Sequence, residues 1–356
     1  MIKIVLEDDR SLRLLQVVLD PHAPADMRAA YTDYMAHDVD LAQAIAQLSD
    51  VAPALFPASV TLVADQAALR QALPGTRVLM METLRMGREE LAVAPDLRVI
   101  QCFGAAKDGV DLAACEARGI AVRTQRRRTN VAVAEHAMAL TMALAKQIPY
   151  INGLVTPQRL AERHQPFRAY DTRHTPNANW ARVGGLRLLS EMTLGVLGLG
   201  EIGTEMARLA HGCGMQVLYH QRHRASTEAE QSVAASYRTL PELLAQSDAI
   251  SIHLPLNAST RILLDARALA QVKPGALLIN TSRAEIVDYA ALVAALDSGQ
   301  LAGAGLDVMH REPADENDTL LDRTNVILTP HLAGGSRHIR FQDFSEMLAG
   351  VAAALM

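Results

Sequence analysis

A glycine-rich turn between a predicted strand and a predicted helix constrains the fold more than any other feature of this sequence. Residues 194–203 read LGVLGLGEIG, with Gly198, Gly200 and Gly203 at the GxGxxG positions. The first glycine permits a tight turn, the second lets a phosphate group approach the backbone, and the third lets helix and strand pack closely. Another strand follows at 215–220, so the pattern predicts a dinucleotide-binding βαβ unit. A glycine turn without a ligand is the less favoured alternative in this context.

Short β-branched runs alternate with amphipathic helical patterns along almost the whole chain. This alternation predicts parallel sheets with helices on both faces. The strand candidates form two groups, 2–6, 59–64, 76–81, 97–103 and 119–123, and then 193–198, 215–220, 248–254, 275–281, 303–308 and 325–329. The second group fits a doubly wound nucleotide-binding fold. Extra helix is expected around 29–49, and a final amphipathic helix at 341–355.

One predicted helix is apolar on most of its faces. It spans 131–147 (VAVAEHAMALTMALAKQ), with Thr129 or Asn130 as the expected cap and Pro149 as the expected stop. A helix that is apolar nearly all round is expected to be buried, here between domains or subunits. The polar stretch 152–190, rich in Arg and His, is predicted to be an irregular excursion.

Composition limits the class of protein. The chain has 356 residues, half of them apolar, which is enough for two domains with packed cores. A net charge of -5 argues against nucleic acid or an anionic membrane as the main partner. The three cysteines lack CxxC spacing, which predicts reduced thiols in a cytoplasmic protein. No apolar run approaches the ~18 residues of a membrane helix, and the first residues lack a signal-peptide pattern.

Patterns for other chemistries are weak or missing in the sequence. His220 and His223 form an HxxH pair, but no carboxylate or cysteine accompanies them, so we predict no metal site. The HExxH, Walker and GxSxG patterns are absent. We therefore set aside the metalloprotease, P-loop NTPase and serine hydrolase classes.

Three further motifs accompany the glycine turn. They are INTSRAEIVD at 279–288, GLDVMHREP at 305–313 and LTPHLAGGS at 328–336. Together, and in this order, the four motifs resemble the D-isomer-specific 2-hydroxyacid dehydrogenase family. The resemblance covers about 99–340 well and is looser over 1–98.

The resemblance implies two doubly wound parallel-sheet α/β domains with an active site in the cleft between them. It implies a flavodoxin-like substrate domain formed by 1–125 and 331–356, and a Rossmann cofactor domain formed by 126–330. It also implies a homodimer, paired through the apolar helix 131–147 and its neighbours.

The implied reaction transfers a hydride between NAD(P)H and a small 2-keto acid or D-2-hydroxy acid of the glyoxylate or hydroxypyruvate type. Arg283 matches the family arginine, whose planar, permanently charged fork suits a carboxylate and a carbonyl. His331 matches the acid/base histidine of the TPHxxG motif, and Glu312 matches the glutamate that orients it. The alternative is a dinucleotide-sensing binding protein of the same fold, like the corepressors of this superfamily.

The resemblance also implies a set of cofactor contacts. Asp307 ends the strand at 303–308 and matches an aspartate that faces the nicotinamide carboxamide; capping a following helix is the alternative role. The full predicted set is Gly198, Gly200, Glu201, Ile202, Gly203, His220, Gln221, Arg222, Pro255, Thr281, Ser282 and Asp307.

The residues at the end of the strand at 215–220, the second strand of the predicted βαβ unit, predict a preference for NADPH over NADH. NAD-binding loops normally place an acid there, ~20 residues after the first glycine, to bind the ribose hydroxyls. Here His220 takes that position, no acid lies between Met215 and Thr227, and Arg222 and Arg224 follow. An arginine can pair with the 2′-phosphate, which a carboxylate would repel. The alternative is an exposed loop in an enzyme that accepts both cofactors.

The predicted substrate loop departs from the family pattern. FGAAKDGVD at 103–111 has Ala106 where the family has glycine and Lys107 where it has an apolar residue. Backbone N–H groups from Ala105 to Lys107 are expected to hold the substrate carboxylate. Lys107 could hold a second acidic group or point to solvent.

Three arginines stand where the family usually has a Pro-Gly turn. They are Arg126, Arg127 and Arg128, just before a helix N-terminus where the dipole disfavours positive charge. A nearby anion, either a substrate carboxylate or a protein acid, would offset that effect, and we predict that Arg127 contacts substrate. The alternative is that all three side chains point into water.

Overall fold

The computed structural model describes residues 1–163, 167–169, 171–176 and 178–356. The chain divides into two compact units, one formed by 1–130 and 335–356 and the other by 131–334. Part of the predicted irregular stretch lies outside the described residues, namely 164–166, 170 and 177.

The first unit alternates strands and helices from the first residues onward. Its elements are β1 (Ile2–Glu7), α1 (Arg13–Leu19), α2 (Ala25–Met35), α3 (Leu41–Val51), β2 (Ala58–Val63), α4 (Gln66–Ala72), β3 (Val78–Met81), α5 (Arg88–Ala92), β4 (Val99–Cys102), α6 (Leu112–Ala117) and β5 (Ala121–Arg123). The extra helix expected around 29–49 is two helices, because Asp40 accepts hydrogen bonds from the N–H groups of Ala42 and Gln43 and so begins α3 anew.

The strands of the first unit form a parallel sheet in the order β2-β1-β3-β4-β5. This is the flavodoxin-like doubly wound order. Every side chain of β3 (VLMM) is buried, since helices cover both faces of the sheet. The predicted five strands and their parallel pairing are confirmed.

The second unit starts on a long helix and continues as a second alternating series. Its elements are α7 (Arg128–Ala145), α8 (Ile148–Ile151), α9 (Pro157–Glu162), β6 (Thr193–Leu197), α10 (Glu201–Gly212), β7 (Gln216–His220), α11 (Thr227–Ser232), β8 (Ala235–Tyr237), α12 (Leu240–Gln246), β9 (Ala249–Ile252), α13 (Ala266–Leu269), β10 (Ala276–Asn280), α14 (Tyr289–Asp297), β11 (Leu301–Leu306) and β12 (Val326–Leu328). The chain then returns to the first unit and ends in α15 (Arg337–Leu355).

The sheet of the second unit has seven parallel strands in the order β12-β11-β10-β9-β6-β7-β8. This is the Rossmann order with one added strand beside β11, and the order reverses at β6, directly before the glycine turn. The sequence predicted six of these strands and missed β8. That strand has only the residues ASY and pairs at the sheet edge with β7, so it carries no β-branched run.

Helix α7 differs from its prediction at both ends. It begins at Arg128, so Thr129 and Asn130 lie inside it and neither is the cap. It ends at Ala145, before Pro149, and the chain then passes through Gln147 in the left-handed region at φ 53°.

The burial of α7 is one-sided within the chain. Ala134, Ala137 and Met138 are buried, but Glu135 and Met142 are exposed. The excursion after it is also more regular than predicted, because Thr156 caps the short helix α9. Among the described residues no helix is long and apolar enough to span a membrane.

Candidate active site

Arg283 stands directly after β10, held there by the last residue of that strand. Asn280 is buried, donates its Nδ2–H to the carbonyl of Arg283 (2.9 Å) and accepts from the N–H of Ser282 (3.0 Å). The Ser282 hydroxyl donates to the carbonyl of Ile252 on β9 (2.6 Å). Arg283 is therefore exposed on a turn whose backbone is fixed, at the carboxyl edge of the sheet. Asn280 is not among the residues predicted from the sequence, although a polar residue at the end of an apolar strand is a usable signal.

His331 and Glu312 form a hydrogen-bonded pair. His331 Nδ1 lies 2.8 Å from Glu312 Oε2, and Glu312 Oε1 accepts from the N–H of Met309 at 3.0 Å. Both paired side chains remain partly exposed, at 47% and 36%. Because Nδ1 is engaged, Nε2 is the imidazole nitrogen left to exchange a proton.

The pKa of Glu312 links this pair to Arg283. Burial alone would raise the pKa of Glu312, but the hydrogen bonds from His331 and from the N–H of Met309, with the charges of His331 and Arg283, lower it. The carboxylate therefore stays ionised and keeps accepting from the imidazole. The structure thus brings the three predicted catalytic side chains together in the second unit.

Asp307 is fully buried after β11, and its carboxylate accepts hydrogen bonds from the loop that carries His331. It accepts from the hydroxyl of Thr329 (2.6 Å), from the N–H of Leu332 (3.0 Å) and from the N–H of Ala333 (2.8 Å). The alternative role as a helix cap is wrong, because no helix lies between 308 and 325, all of which the structure describes. Its contact with the nicotinamide carboxamide stays a prediction.

The glycine turn has the shape that a dinucleotide pyrophosphate requires. Gly198 has φ 95°, and a side chain there would come within 2.6 Å of the carbonyl oxygen of His253. A methyl group on Gly203 would overlap the carbonyl of Gly198. Beside Gly200, in contrast, a Cβ would meet nothing within 4 Å, and no side chain caps α10. The start of α10, where Glu201 and Ile202 follow Gly200, therefore faces open space, as a site for a phosphate at a helix N-terminus requires.

Two buried polar atoms near the strand ends also fit a bound cofactor. Thr281 Oγ1 and His253 Nδ1 are buried and have no hydrogen-bond partner within the described part of the chain. Burial lowers the pKa of His253 to about 4, so its imidazole is neutral near pH 7. Buried polar atoms normally have partners, and a ligand at this edge would supply them. His253 is not among the residues predicted from the sequence.

The loop after β7 is fixed by its own side chains. His220 Nδ1 lies 2.9 Å from the carbonyl of Arg238, and Gln221 Oε1 accepts from the N–H of Leu199 at 3.0 Å, inside the glycine turn. Arg222 is exposed and has no partner among the described residues.

Arg224, the second basic residue of this loop, is already engaged. Its Nε and Nη2 donate to the two carboxylate oxygens of Glu230 at 2.8 and 2.9 Å. Hydrogen bonds from Arg224 and Tyr219 lower the pKa of Glu230 to about 2, so this pair stays charged over the working pH range. Arg222 is therefore the arginine of this loop that remains available to an anionic ligand.

The predicted substrate residues lie in the first unit. Ala105, Ala106 and Lys107 are exposed in the turn after β4, and the Lys107 ammonium has no partner among the described residues. Arg127 Nη1 lies 2.9 Å from Glu82 Oε1, and its guanidinium lies 4.9 Å from the ring centre of Phe103. A protein acid thus offsets this charge.

Arg128 is matched by protein acids as well, Glu346 at 2.5 Å and Asp343 at 3.6 Å. The alternative that all three arginines simply point into water is therefore wrong for Arg127 and Arg128.

Of the other predicted positions, Pro255 is exposed after β9, and its carbonyl accepts from the hydroxyl of Thr260. No group of three metal-ligating side chains occurs among the described residues.

Comparison with known proteins gives the family. A family model for the NAD-binding domain of D-isomer-specific 2-hydroxyacid dehydrogenases matches residues 158–333. An (S)-sulfolactate dehydrogenase of Chromohalobacter salexigens is 37% identical over 77% of this chain and 83% of its own length. A glyoxylate reductase of Thermococcus litoralis is 34% identical over 76% of this chain and 78% of its own length.

A solved structure supports the same fold. The apo D-mandelate dehydrogenase of Rhodotorula graminis is 24% identical, with a TM-score of 0.56 over 98% of this chain and 93% of that one. The predicted α/β class with two parallel-sheet domains is confirmed.

The chain belongs to the D-isomer-specific 2-hydroxyacid dehydrogenase family. It is an oxidoreductase that uses a nicotinamide dinucleotide and acts on the CH–OH group of small 2-hydroxy acids, or in reverse on 2-keto acids. The binding-protein alternative is not favoured, because the named relatives are enzymes.

Proposed function

We propose that the protein reduces a small 2-keto acid of the glyoxylate or hydroxypyruvate type, with NADPH as the preferred reductant. Relatives named glyoxylate reductase and glyoxylate/hydroxypyruvate reductase B support this substrate class. The observation that carries the proposal is the hydrogen-bonded pair of His331 and Glu312, 2.8 Å apart. The positive charge of Arg283 also lowers the pKa of Glu312, so the three groups act on one another. A cation and an oriented acid are what the reduction of a 2-keto acid needs from a protein.

Arg283 binds the substrate carboxylate and polarises the adjacent carbonyl. Its planar guanidinium presents parallel N–H donors that match the two oxygens of a carboxylate. The turn behind it is fixed through Asn280, so little reorganisation accompanies the reaction.

His331 exchanges the proton with the substrate oxygen through Nε2. Glu312 holds Nδ1, which keeps the ring oriented with Nε2 left for the substrate. In reduction His331 gives the proton to the developing alkoxide, and in oxidation it takes the proton from the hydroxyl.

The nicotinamide dinucleotide, when bound, supplies or accepts the hydride. Gly198, Gly200 and Gly203, with the first turn of α10 at Glu201 and Ile202, would hold its pyrophosphate. The nicotinamide end would be lined by residues from three strand ends, namely Pro255, Thr281, Ser282 and Asp307. Thr281 is the member of this set whose buried hydroxyl has no partner among the described residues.

The preference for NADPH rests on the loop after β7. His220 and Gln221 are tied to neighbouring backbone, while Arg222 is exposed and available to the 2′-phosphate. NAD remains usable, since the pyrophosphate contacts are common to both cofactors.

The test is kcat/KM for glyoxylate, hydroxypyruvate and pyruvate, each with NADPH and with NADH. We expect the first two substrates with NADPH to give the highest values. Arg283→Ala and His331→Ala should each lower turnover by about 10²–10⁴-fold while the circular dichroism spectrum stays unchanged. Near wild-type turnover of His331→Ala would refute the acid/base assignment, and equal or better use of NADH would refute the cofactor preference.

A second candidate substrate is a 2-keto acid with another anionic group, such as sulfopyruvate. The ammonium of Lys107 in the predicted substrate turn favours it, since this group is exposed and has no partner in the described part of the chain, as does the relative named (S)-sulfolactate dehydrogenase. We keep Ala105, Ala106 and Arg127 as the other proposed substrate contacts. If this candidate holds, Lys107→Ala raises KM for sulfopyruvate and leaves KM for glyoxylate unchanged; an equal effect on both would exclude it.

We further propose that the enzyme is a cytoplasmic homodimer. The free thiols of Cys102, Cys115 and Cys213 suit a reducing compartment. Large apolar side chains are exposed on α7 and on the stretch that follows it, namely Met142, Ile148, Val155, Leu186 and Leu188. A second copy would remove them from water. Sedimentation equilibrium would measure the mass, and a monomer at micromolar concentration would refute the dimer.

A further inference from the structure

His136 on α7 has no role in the reaction as described so far, yet it reaches the centre of the site. Its Nε2 lies 3.0 Å from Thr329 Oγ1 and 3.7 Å from Asp307 Oδ1. Four fifths of its side chain is buried, with 20% exposed. We propose that His136 is a positioning residue that acts through Thr329 and Asp307 to fix the loop carrying His331. The inference rests on the proposed acid/base role of His331.

The hydrogen bonds run in one direction along this chain of side chains. The Thr329 hydroxyl has a single proton, which it donates to Asp307 Oδ1 at 2.6 Å. The hydroxyl can then only accept from His136, so His136 carries its proton on Nε2. The imidazole thus orients the hydroxyl toward Asp307, a contact that a freely rotating hydroxyl would keep only part of the time.

The carboxylate of Asp307, at the end of this hydrogen-bond series, binds the loop both before and after His331. Asp307 is bound by Thr329, two residues before His331, and by the N–H groups of Leu332 and Ala333, which follow it. Between these anchors His331 has φ 53°, in the left-handed region that residues other than glycine seldom adopt. The network therefore holds the acid/base residue in a backbone conformation that it would otherwise leave.

The packing of α7 on β11 explains why His136 can reach this far. Two glycines of β11 lie beneath leucines of α7: a methyl group on Gly305 would be 2.9 Å from Leu140 Cβ, and one on Gly303 would be 3.2 Å from Leu144 Cδ2. His136 is one helical turn before Leu140.

The matching position on the strand side is Asp307. Gly303 and Gly305 alternate with it along one side of the chain, at every second residue, as side chains of a strand do. The row of α7 side chains that begins at His136 therefore packs along the row of β11 positions that leads to Asp307. The small glycines let the helix lie close enough to the strand for His136 to reach its end.

The test compares His136→Leu, which removes the donor at similar bulk, with His136→Gln, which restores an N–H donor on a side chain of similar reach. We expect His136→Leu to lower kcat about tenfold or more, because small misplacement of a reacting group is costly. KM for the keto acid and Kd for NADPH should stay within twofold, and His136→Gln should recover most of kcat. His211→Leu, at an exposed position in the last turn of α10, is the matched control and should behave as wild type.

Thr329 provides a second test that leaves α7 intact. Thr329→Ser keeps the hydroxyl and should retain kcat, whereas Thr329→Val removes it at equal volume and should reproduce the loss. The double variant His136→Leu with Thr329→Val should be no slower than Thr329→Val alone, since both changes break one chain. Wild-type kcat in His136→Leu, or fully additive losses, would overturn the inference.

These results also separate the inference from the proposed function. If His331→Ala is inactive while His136→Leu is normal, only the positioning role fails. If His331→Ala itself turns over normally, the acid/base assignment fails first.

Discussion

The N-terminal N–H groups of α7 and α10 both need hydrogen-bond acceptors from outside the helix, and the two helices differ in what is placed there. The first N–H groups of a helix lack intrahelical partners and carry partial positive charge. At α7 a protein carboxylate fills the position, because Asp343 of α15 accepts from the N–H groups of Arg128 (2.8 Å) and Thr129 (3.2 Å). At α10 the preceding residue is Gly200, with no side-chain cap and open space around it.

The start of α7 is built to hold a carboxylate of the protein itself, whereas the start of α10 is suited to an anionic group of a ligand. Asp343 is buried and also accepts from the Thr129 hydroxyl at 3.1 Å, so its place is fixed within the fold. The arginines that crowd this helix start are tolerated because protein acids lie beside them. Beside Gly200 the start of α10 stays open, which suits a pyrophosphate that binds and dissociates.

The largest expected effect comes from forcing the start of α10 away from the glycine turn. Gly203→Ala places a methyl group against the carbonyl of Gly198, so the helix start has to shift. We expect Kd for NADPH and for NADH to rise together by about 10–100-fold, in line with ~1–3 kcal/mol for overpacking. Gly212→Ala, in the same helix where a Cβ meets nothing within 4 Å, should leave both values unchanged. Equal weakening by the two variants would deny the glycine turn its proposed role.

Removing the anion at α7 should cost stability rather than cofactor affinity. Asp343→Ala leaves the partly buried N–H groups of Arg128 and Thr129 without this acceptor, at a cost of about 1–3 kcal/mol. Urea unfolding would measure this change in the free energy of unfolding, and Kd for NADPH of the folded variant serves as the control. A loss of cofactor affinity without a loss of stability would reverse the contrast between the two helices.

A third change should distinguish the cofactors at the α10 side. Arg222→Ala should raise KM for NADPH about tenfold, since a charge-assisted pair with a phosphate is worth ~1.5–3 kcal/mol before solvent screening. KM for NADH should not change. Arg224→Ala should have the smaller effect on NADPH, because Glu230 already holds that guanidinium. An unchanged KM for NADPH in Arg222→Ala would contradict the proposed preference.

The smallest effect is expected at the exposed edge of the α7 site. Glu346 pairs with Arg128 at 2.5 Å, but its side chain is 56% exposed. Glu346→Gln should therefore cost about 0–1 kcal/mol of unfolding free energy, and less in high salt. A cost equal to that of Asp343→Ala would show that charge rather than buried hydrogen bonding stabilises this helix start.

The sequence by itself determined the features that are written in neighbouring residues. Apolar runs separated by helical patterns predicted eleven of the strands that the structure contains, because the period of burial is local. The glycine turn and the motifs around Arg283, Glu312 and His331 predicted the chemistry, because each motif fits one strand end and its following turn.

Only the tertiary structure decided the contacts between distant positions. The sequence placed the cap of α7 at Thr129 or Asn130, whereas the acceptor is Asp343, 215 positions from Arg128. It gave no role to His136, which meets Thr329 at a separation of 193 positions. A hydrogen bond across such a distance leaves no periodicity and no motif in the chain, since only the packing of elements that are far apart in sequence brings its two partners together.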